Sequence, residues 1–168
     1  MGKITLPLIA ELEQEAKSTQ RVLERIADQH LSWKPHEKSR SAGQLALHVA
    51  MIPGVVARIA SVDEFDVSGA RFENDPPQKA AELVPALHAA TAQAKKFLEE
   101  LDDARAMAPW KMMFKTRELQ VFPRIAAIRS IMFNHWYHHR GELVVYLRLL
   151  NIPVPSVYGP SADEGLIR

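Results

Sequence analysis

The chain has 168 residues, 47% of them hydrophobic, which suffices for one compact domain spanning residues 1–168 with a core that needs no cross-links. Lysine and arginine number 21 against 20 aspartate and glutamate, a formal charge of +1 with no long run of one sign, which argues against a nucleic-acid groove or a patch for acidic membranes. The absence of cysteine excludes disulfides, thiolate metal ligands and a cysteine nucleophile, so any metal must be held by nitrogen and oxygen.

From the N-terminus, Met1-Gly2-Lys3-Ile4-Thr5 leads into a charged stretch (Glu11, Glu13, Glu15) rather than the apolar core of a secretory signal, and Leu6 stands where myristoylation needs Ser or Thr. A first amphipathic helix is predicted from about Leu6 to Ala27. Ile9, Leu12, Ala16, Thr19, Leu23 and Ile26 recur at three- and four-residue spacing, and Glu11, Glu15, Lys17 and Arg25 fill the other side. The proline-containing stretch Ser32 to Ser39 has no apolar period and ends at Ser41, which with Gln44 three residues later makes a capping box and so starts a second helix. Its inward stripe is expected to be Leu45, His48, Ile52, Val55 and Ile59, with a bend or fraying at Pro53-Gly54. Because Leu45 to Ala60 is interrupted by His48, Pro53, Gly54 and Arg58, it falls short of the roughly 20 apolar residues of a membrane span. The expectation is a soluble cytoplasmic protein with neither membrane nor nucleic acid as partner.

A polar connection, Ser61 to Gln78, precedes a third helix that ends near Leu101 and carries Leu83, Leu87, Ala90, Ala94, Phe97 and Leu101, with Pro85 as a kink in its first turns. Residues 102–121 hold Trp110, Met112, Met113 and Phe114, too apolar for a free loop and too irregular for a helix; a short hairpin or a cover over a pocket fits them. A last long helix is expected from about Pro123 to Leu150, stopped by Asn151 and Pro153, before a Pro- and Gly-punctuated tail from Val154 to Arg168. Four apolar stripes can be buried only against one another, so the expected fold is all-α, a four-helix bundle with a metal site between helices, an irregular cover segment and a C-terminal tail.

The metal site rests on the histidines. His135 and His139 lie one turn apart on one helix face, so both rings can reach one ion about 2.0–2.1 Å from each nitrogen. By helical period they align with Ile128, Ile131, Met132, Tyr146 and Leu150, a face that must point inward, where unpartnered imidazoles are costly. His48 repeats the anomaly in the stripe of the second helix, and a bundle would bring it to the pair as a third nitrogen donor with coordination positions left open. The competing reading makes His48 a hydrogen-bonded core histidine and the pair a helical accident. His30, His36 and His88 suit surface or edge positions, while His138, about 60° around the helix from His135, suits an outer or solvent-facing place.

No Glu-x-x-His occurs, which removes the carboxylate-bridged di-iron site, and Trp136 after His135 removes the His-Glu-x-x-His protease helix. Glu142 extends the His135/His139 line by a turn, as a fourth ligand, an outer acceptor or a general base, or simply as a surface ion-pair partner of Arg140. Trp33, Trp110 and Trp136 suit core or pocket wall.

Trp33-Lys-Pro-His36, Ser39-Arg-Ser-Ala-Gly-Gln-Leu-Ala-Leu-His48, His135-Trp-Tyr-His-His139-Arg-Gly-Glu-Leu143 and Ile152-Pro-Val-Pro-Ser-Val-Tyr-Gly-Pro-Ser-Ala-Asp-Glu164 together resemble the DinB-like proteins along the whole chain. The resemblance implies a four-helix bundle, often a homodimer, with one divalent ion such as nickel, zinc or manganese on His48, His135 and His139. One position departs from it: Glu142 stands where the family often has Gln, which adds a carboxylate beside the ligands. Family members of known activity include transferases and isomerases that use low-molecular-weight thiols.

The leading functional expectation is therefore a metal-dependent thiol S-transferase acting on a small-molecule substrate, with Glu142 and His138 as its proton-handling residues. The alternatives are a metal-dependent hydrolase that activates water, and a non-catalytic, metal-binding, stress-related dimer.

Overall fold

The capping box forms as its spacing predicts. The Ser41 hydroxyl accepts from the Gln44 N–H at 3.2 Å, the Gln44 side chain accepts from the Ser41 N–H at 2.9 Å, and helix α2 runs from Ala42 to Ser61. Ser41→Ala should lower stability by about 1 kcal/mol, read as a shift in the urea midpoint at unchanged slope. The structure, a computed structural model, describes residues 2–70 and 75–165. Met1, the 71–74 part of the polar connection and the last three tail residues, 166–168, lie outside them.

Helix α1 (Leu6–Leu23) buries Ile9, Leu12, Thr19, Val22 and Leu23 but stops short of the expected Ala27, because Ala27 is already extended, with φ −109° and ψ 159°. Glu15, expected on the solvent side, is buried. Helix α2 continues through Pro53 without fraying. Gly54 has the reason: a Cβ there would lie 2.9 Å from the Ala90 Cα of helix α3 (Leu83–Glu100), so the glycine lets the two helices approach closely. The buried face of α2 is also wider than the expected stripe. Val49, Val56, Ala57 and Ala60 are buried, whereas His48, Val55 and Ile59 are only half-buried. Ala42–Ser61 is in fact long and apolar enough to cross a membrane by length and composition, and 61% of its window is buried inside the protein, which accounts for its apolarity.

Helix α3 buries Leu83, Leu87, Ala90, Ala94 and Leu98; Leu98 takes the place expected of Phe97. Pro85 sits in its first turn, where the missing N–H has no helical partner to lose. After the short, unexpected helix α4 (Asp103–Met107), strands β2 (Pro109–Phe114) and β3 (Arg117–Pro123) form a hairpin, one of the two arrangements that fit residues 102–121. Strand β1 (Glu64–Asp66), inside the supposed polar connection, pairs in parallel with β2. The protein is therefore mostly helical rather than all-α: a three-stranded sheet in the order β1-β2-β3 stands beside the helices.

The last long helical run has three parts: α5 (Arg124–Ala127), a π-helical segment (Ile128–Asn134) and α6 (His135–Leu149). The wider π turns shift the register, so the buried face continues from Ile128 and Met132 to Phe133, Trp136, Arg140, Leu143 and Leu147, and not along His135, His139 and Tyr146. Asn151 ends α6 at φ 56°, a left-handed position asparagine tolerates. The N–H groups of Asn151 and Ile152 bond to the carbonyls of Arg148 and Leu147 in a Schellman closure.

The tail is strapped down by ion pairs between side chains. Glu164 pairs with Arg21 and Arg25 of α1 and its vicinity, and Asp163 pairs with Arg148 at 2.6 Å. Helix α2 packs against α3 and α6, and α1 against α3, with the core between them.

Candidate metal centre

The register shift leaves His135 and His139 at the edge of the buried face of α6, half-buried, where α2 brings His48 against them. One ring nitrogen from each of the three lies within 4.8 Å of the others. The Nε2 atoms of His48 and His135 are 3.4 Å apart, and the His48 and His139 ring centroids are separated by 4.6 Å. Neutral imidazoles can approach in this way; charged ones would repel strongly.

All three are held neutral. Burial, followed by the charges of His139, Arg40 and His135, pushes the His48 imidazole down to about 3. Burial also lowers His135 and His139, with Arg40 adding to the effect on both. Neutral rings carry the lone pairs that a cation requires, so the donor set fits a divalent ion without prior proton loss.

The surroundings fix ring orientation. Glu142 Oε2 accepts from the Nδ1–H of His139 at 2.5 Å, which leaves the Nε2 lone pair for the cluster. At His135, the backbone N–H bonds to the Ser130 and Met132 carbonyls and passes over the Ile131 carbonyl between them, a consequence of the π turn. That Ile131 carbonyl favours the ring N–H of His135 and is the one influence raising its pKa, although Nδ1, which is buried, makes no hydrogen bond of good geometry.

Among the described residues a second group, His138, His139 and Glu142, also has donor atoms within 4.8 Å of one another. It is more exposed. His138, with a side chain 63% accessible, places Nε2 3.2 Å from Glu142 Oε1. The two oxygens of Glu142 thus face two different histidines.

The remaining histidines stay apart. His30 Nδ1 accepts from the Ala27 N–H, His36 Nδ1 from the Lys38 N–H, and His88 meets Gln20. Trp110 and Trp136 are fully buried, and Trp33 packs edge-on against Tyr146 at 5.5 Å. Arg140 does not pair with Glu142; it turns inward to Glu15. Arg40, whose charge acts on all three imidazoles, stands between the proline-containing stretch and the Ser41 cap, and nothing in its local pattern singles it out.

The depressed values set a pH dependence. The unfolded chain binds protons on these histidines near the ordinary 6.5, the folded chain only at lower pH, so in that window the unfolded state holds more protons and stability falls as pH drops. Metal-free protein should therefore show level stability above about pH 6.5 and progressive loss below it. His48→Gln should flatten the slope between about pH 6.5 and 4.5 in chemical denaturation; an unchanged slope there would contradict the burial of a neutral His48.

The model of the DinB family matches residues 1–166. The uncharacterized protein YrdA of Bacillus subtilis is 23% identical over 156 residues, which cover 90% of this chain and 86% of that protein. Among solved structures, a DinB-like protein from Bacillus cereus superposes with a TM-score of 0.70 at 21% identity, covering 89% of this chain and 94% of its own. A DinB-like protein from Bacillus subtilis, YjoA, gives 0.68 at 20% identity, covering 96% and 99%. At such identities the two structures speak for the fold alone.

Proposed function

This chain belongs to the DinB family, and we propose that it is a divalent-metal-dependent enzyme of the thiol S-transferase kind, in which His48, His135 and His139 hold the ion. The observation that carries the reading is the convergence of three neutral imidazoles, from two helices, within 4.8 Å at the edge of an open cavity. A donor set of three neutral nitrogens without thiolate suits zinc, nickel or manganese and leaves coordination positions for a substrate. When bound, the ion supplies the Lewis acidity that lowers the pKa of an incoming thiol.

The chain's own residues do the rest. Glu142 Oε2 orients His139, while Oε1 and His138 together can accept a proton at the solvent-facing rim and pass it to water. The absence of cysteine means that the nucleophilic sulfur must arrive from outside. In this reading the four long helices form the family's four-helix bundle, and the protein works as a cytoplasmic homodimer.

The test is conjugation of a low-molecular-weight thiol to a chromogenic electrophile by protein loaded separately with each of the three metals. Metal-dependent turnover that falls by roughly 10²- to 10⁴-fold when His138 and Glu142 are both replaced is expected. Metal-dependent ester hydrolysis without thiol transfer would favour water activation instead.

A further inference from the structure

Resting on that reading, we propose that the cavity beside His139 binds a singly charged anionic group, a carboxylate, of the same small molecule whose reactive atom reaches the three histidines. The cavity has a volume of about 480 Å³, within the range of small-ligand sites, and His139 and Glu142 form part of its wall. To the same wall the segment between α1 and α2 contributes Lys34, Lys38 and Arg40 together with Glu37. Three cations against the carboxylates of Glu37 and Glu142 leave one net positive charge, whatever pairs form within the wall. That balance matches a carboxylate better than a doubly charged phosphate.

The wall is built, not a free loop. The Trp33 carbonyl accepts from the Ala42 N–H at 2.8 Å, and the Leu31 carbonyl accepts from the Gly43 N–H at 3.0 Å. Gly43 permits this approach, since a Cβ there would lie 2.9 Å from the Leu31 oxygen. From α6, the Tyr146 hydroxyl donates to the Arg40 carbonyl at 3.3 Å, and its ring packs on Trp33. The cationic segment is thereby tied to both helices that carry the histidines, and the Arg40 charge is felt at all three imidazoles. An anion in the cavity is held at a set distance from the cluster, which is what orientation of a bifunctional substrate demands.

Two titrations of the full chain test this. In the first, metal-free protein is titrated with propionate, neutral 1-propanol and inorganic phosphate, followed by amide NMR. Propionate should shift the amides of Arg40, Gln44 and Tyr146 while propanol does not. The triple variant Lys34→Gln, Lys38→Gln, Arg40→Gln should weaken the effect roughly tenfold, and Glu37→Gln, which needs no change at the histidines, should strengthen it. Equal responses to propanol and propionate, no effect of either variant, or phosphate binding roughly tenfold tighter than propionate would overturn the carboxylate assignment. In the second, zinc-loaded protein is titrated calorimetrically with 3-mercaptopropionate and 3-mercapto-1-propanol, and the acid should bind roughly tenfold tighter in wild type but not in the triple variant. Thiol binding without that preference overturns the cavity assignment and leaves the thiol reading standing. A propionate site without thiol binding does the reverse.

Discussion

His48→Ala should weaken metal binding at least 10- to 100-fold, the loss typical even of an outer partner, while the helix content stays at its wild-type level. Helicity should survive because His48 is only half-buried on α2, and alanine is the best helix former. His30→Ala and His36→Ala should leave binding nearly unchanged, since their rings bond to nearby backbone and stand outside the cluster. Metal content and circular dichroism measured on the same sample check this. A folded His48→Ala protein with its full complement of tightly bound metal would remove His48 from the ligand set.

Arg140→Met should cost about 3–5 kcal/mol of stability, the loss typical of breaking a buried ion pair by removing one partner. Its guanidinium, 1% exposed, pairs with the Glu15 carboxylate at 2.6 Å and donates to the Glu15 carbonyl, the Thr19 hydroxyl and the Tyr158 hydroxyl. Without it a carboxylate 8% exposed is left facing the core with the Tyr158 hydroxyl still donating to it but no cation beside it, and Tyr158 loses the guanidinium it accepts from. The double variant Glu15→Met, Arg140→Met should recover much of the loss, because the cost lies in the stranded charge more than in the pair. Urea unfolding of both variants decides this: a double variant as unstable as Arg140→Met alone would mean that packing, not the buried carboxylate, sets the penalty.

The start of α2 was legible because a capping box is a contact between residues three apart, and the end of α6 because Asn151 and Pro153 act on their own neighbours. The pairing of His135 with His139 was legible for the same reason, one helical turn being a local distance. Strand β1 was not, since three residues, Glu64–Asp66, carry too short a pattern to be told from a loop, and only the partner β2 makes them a strand.

What the sequence by itself determined, then, are the features set by spacing along one element: the helices, the start of α2, the end of α6 and the histidine pair, while residues 102–121 stay open between a hairpin and a cover over a pocket. For the last helix the tertiary structure decided which face is buried, because the π segment Ile128–Asn134 shifts the register by a choice of backbone hydrogen bonds that side-chain periodicity does not reveal. It turned Glu15 and Arg140 inward onto each other, set Lys34, Lys38 and Arg40 beside His139, and brought His48, which its place in an apolar stripe marks as the third donor, to 3.4 Å from His135, 87 residues away. Each of these joins segments whose separation in space is set by how helices pack, through side-chain volumes such as the missing Cβ of Gly54 against Ala90, and no local pattern encodes that distance.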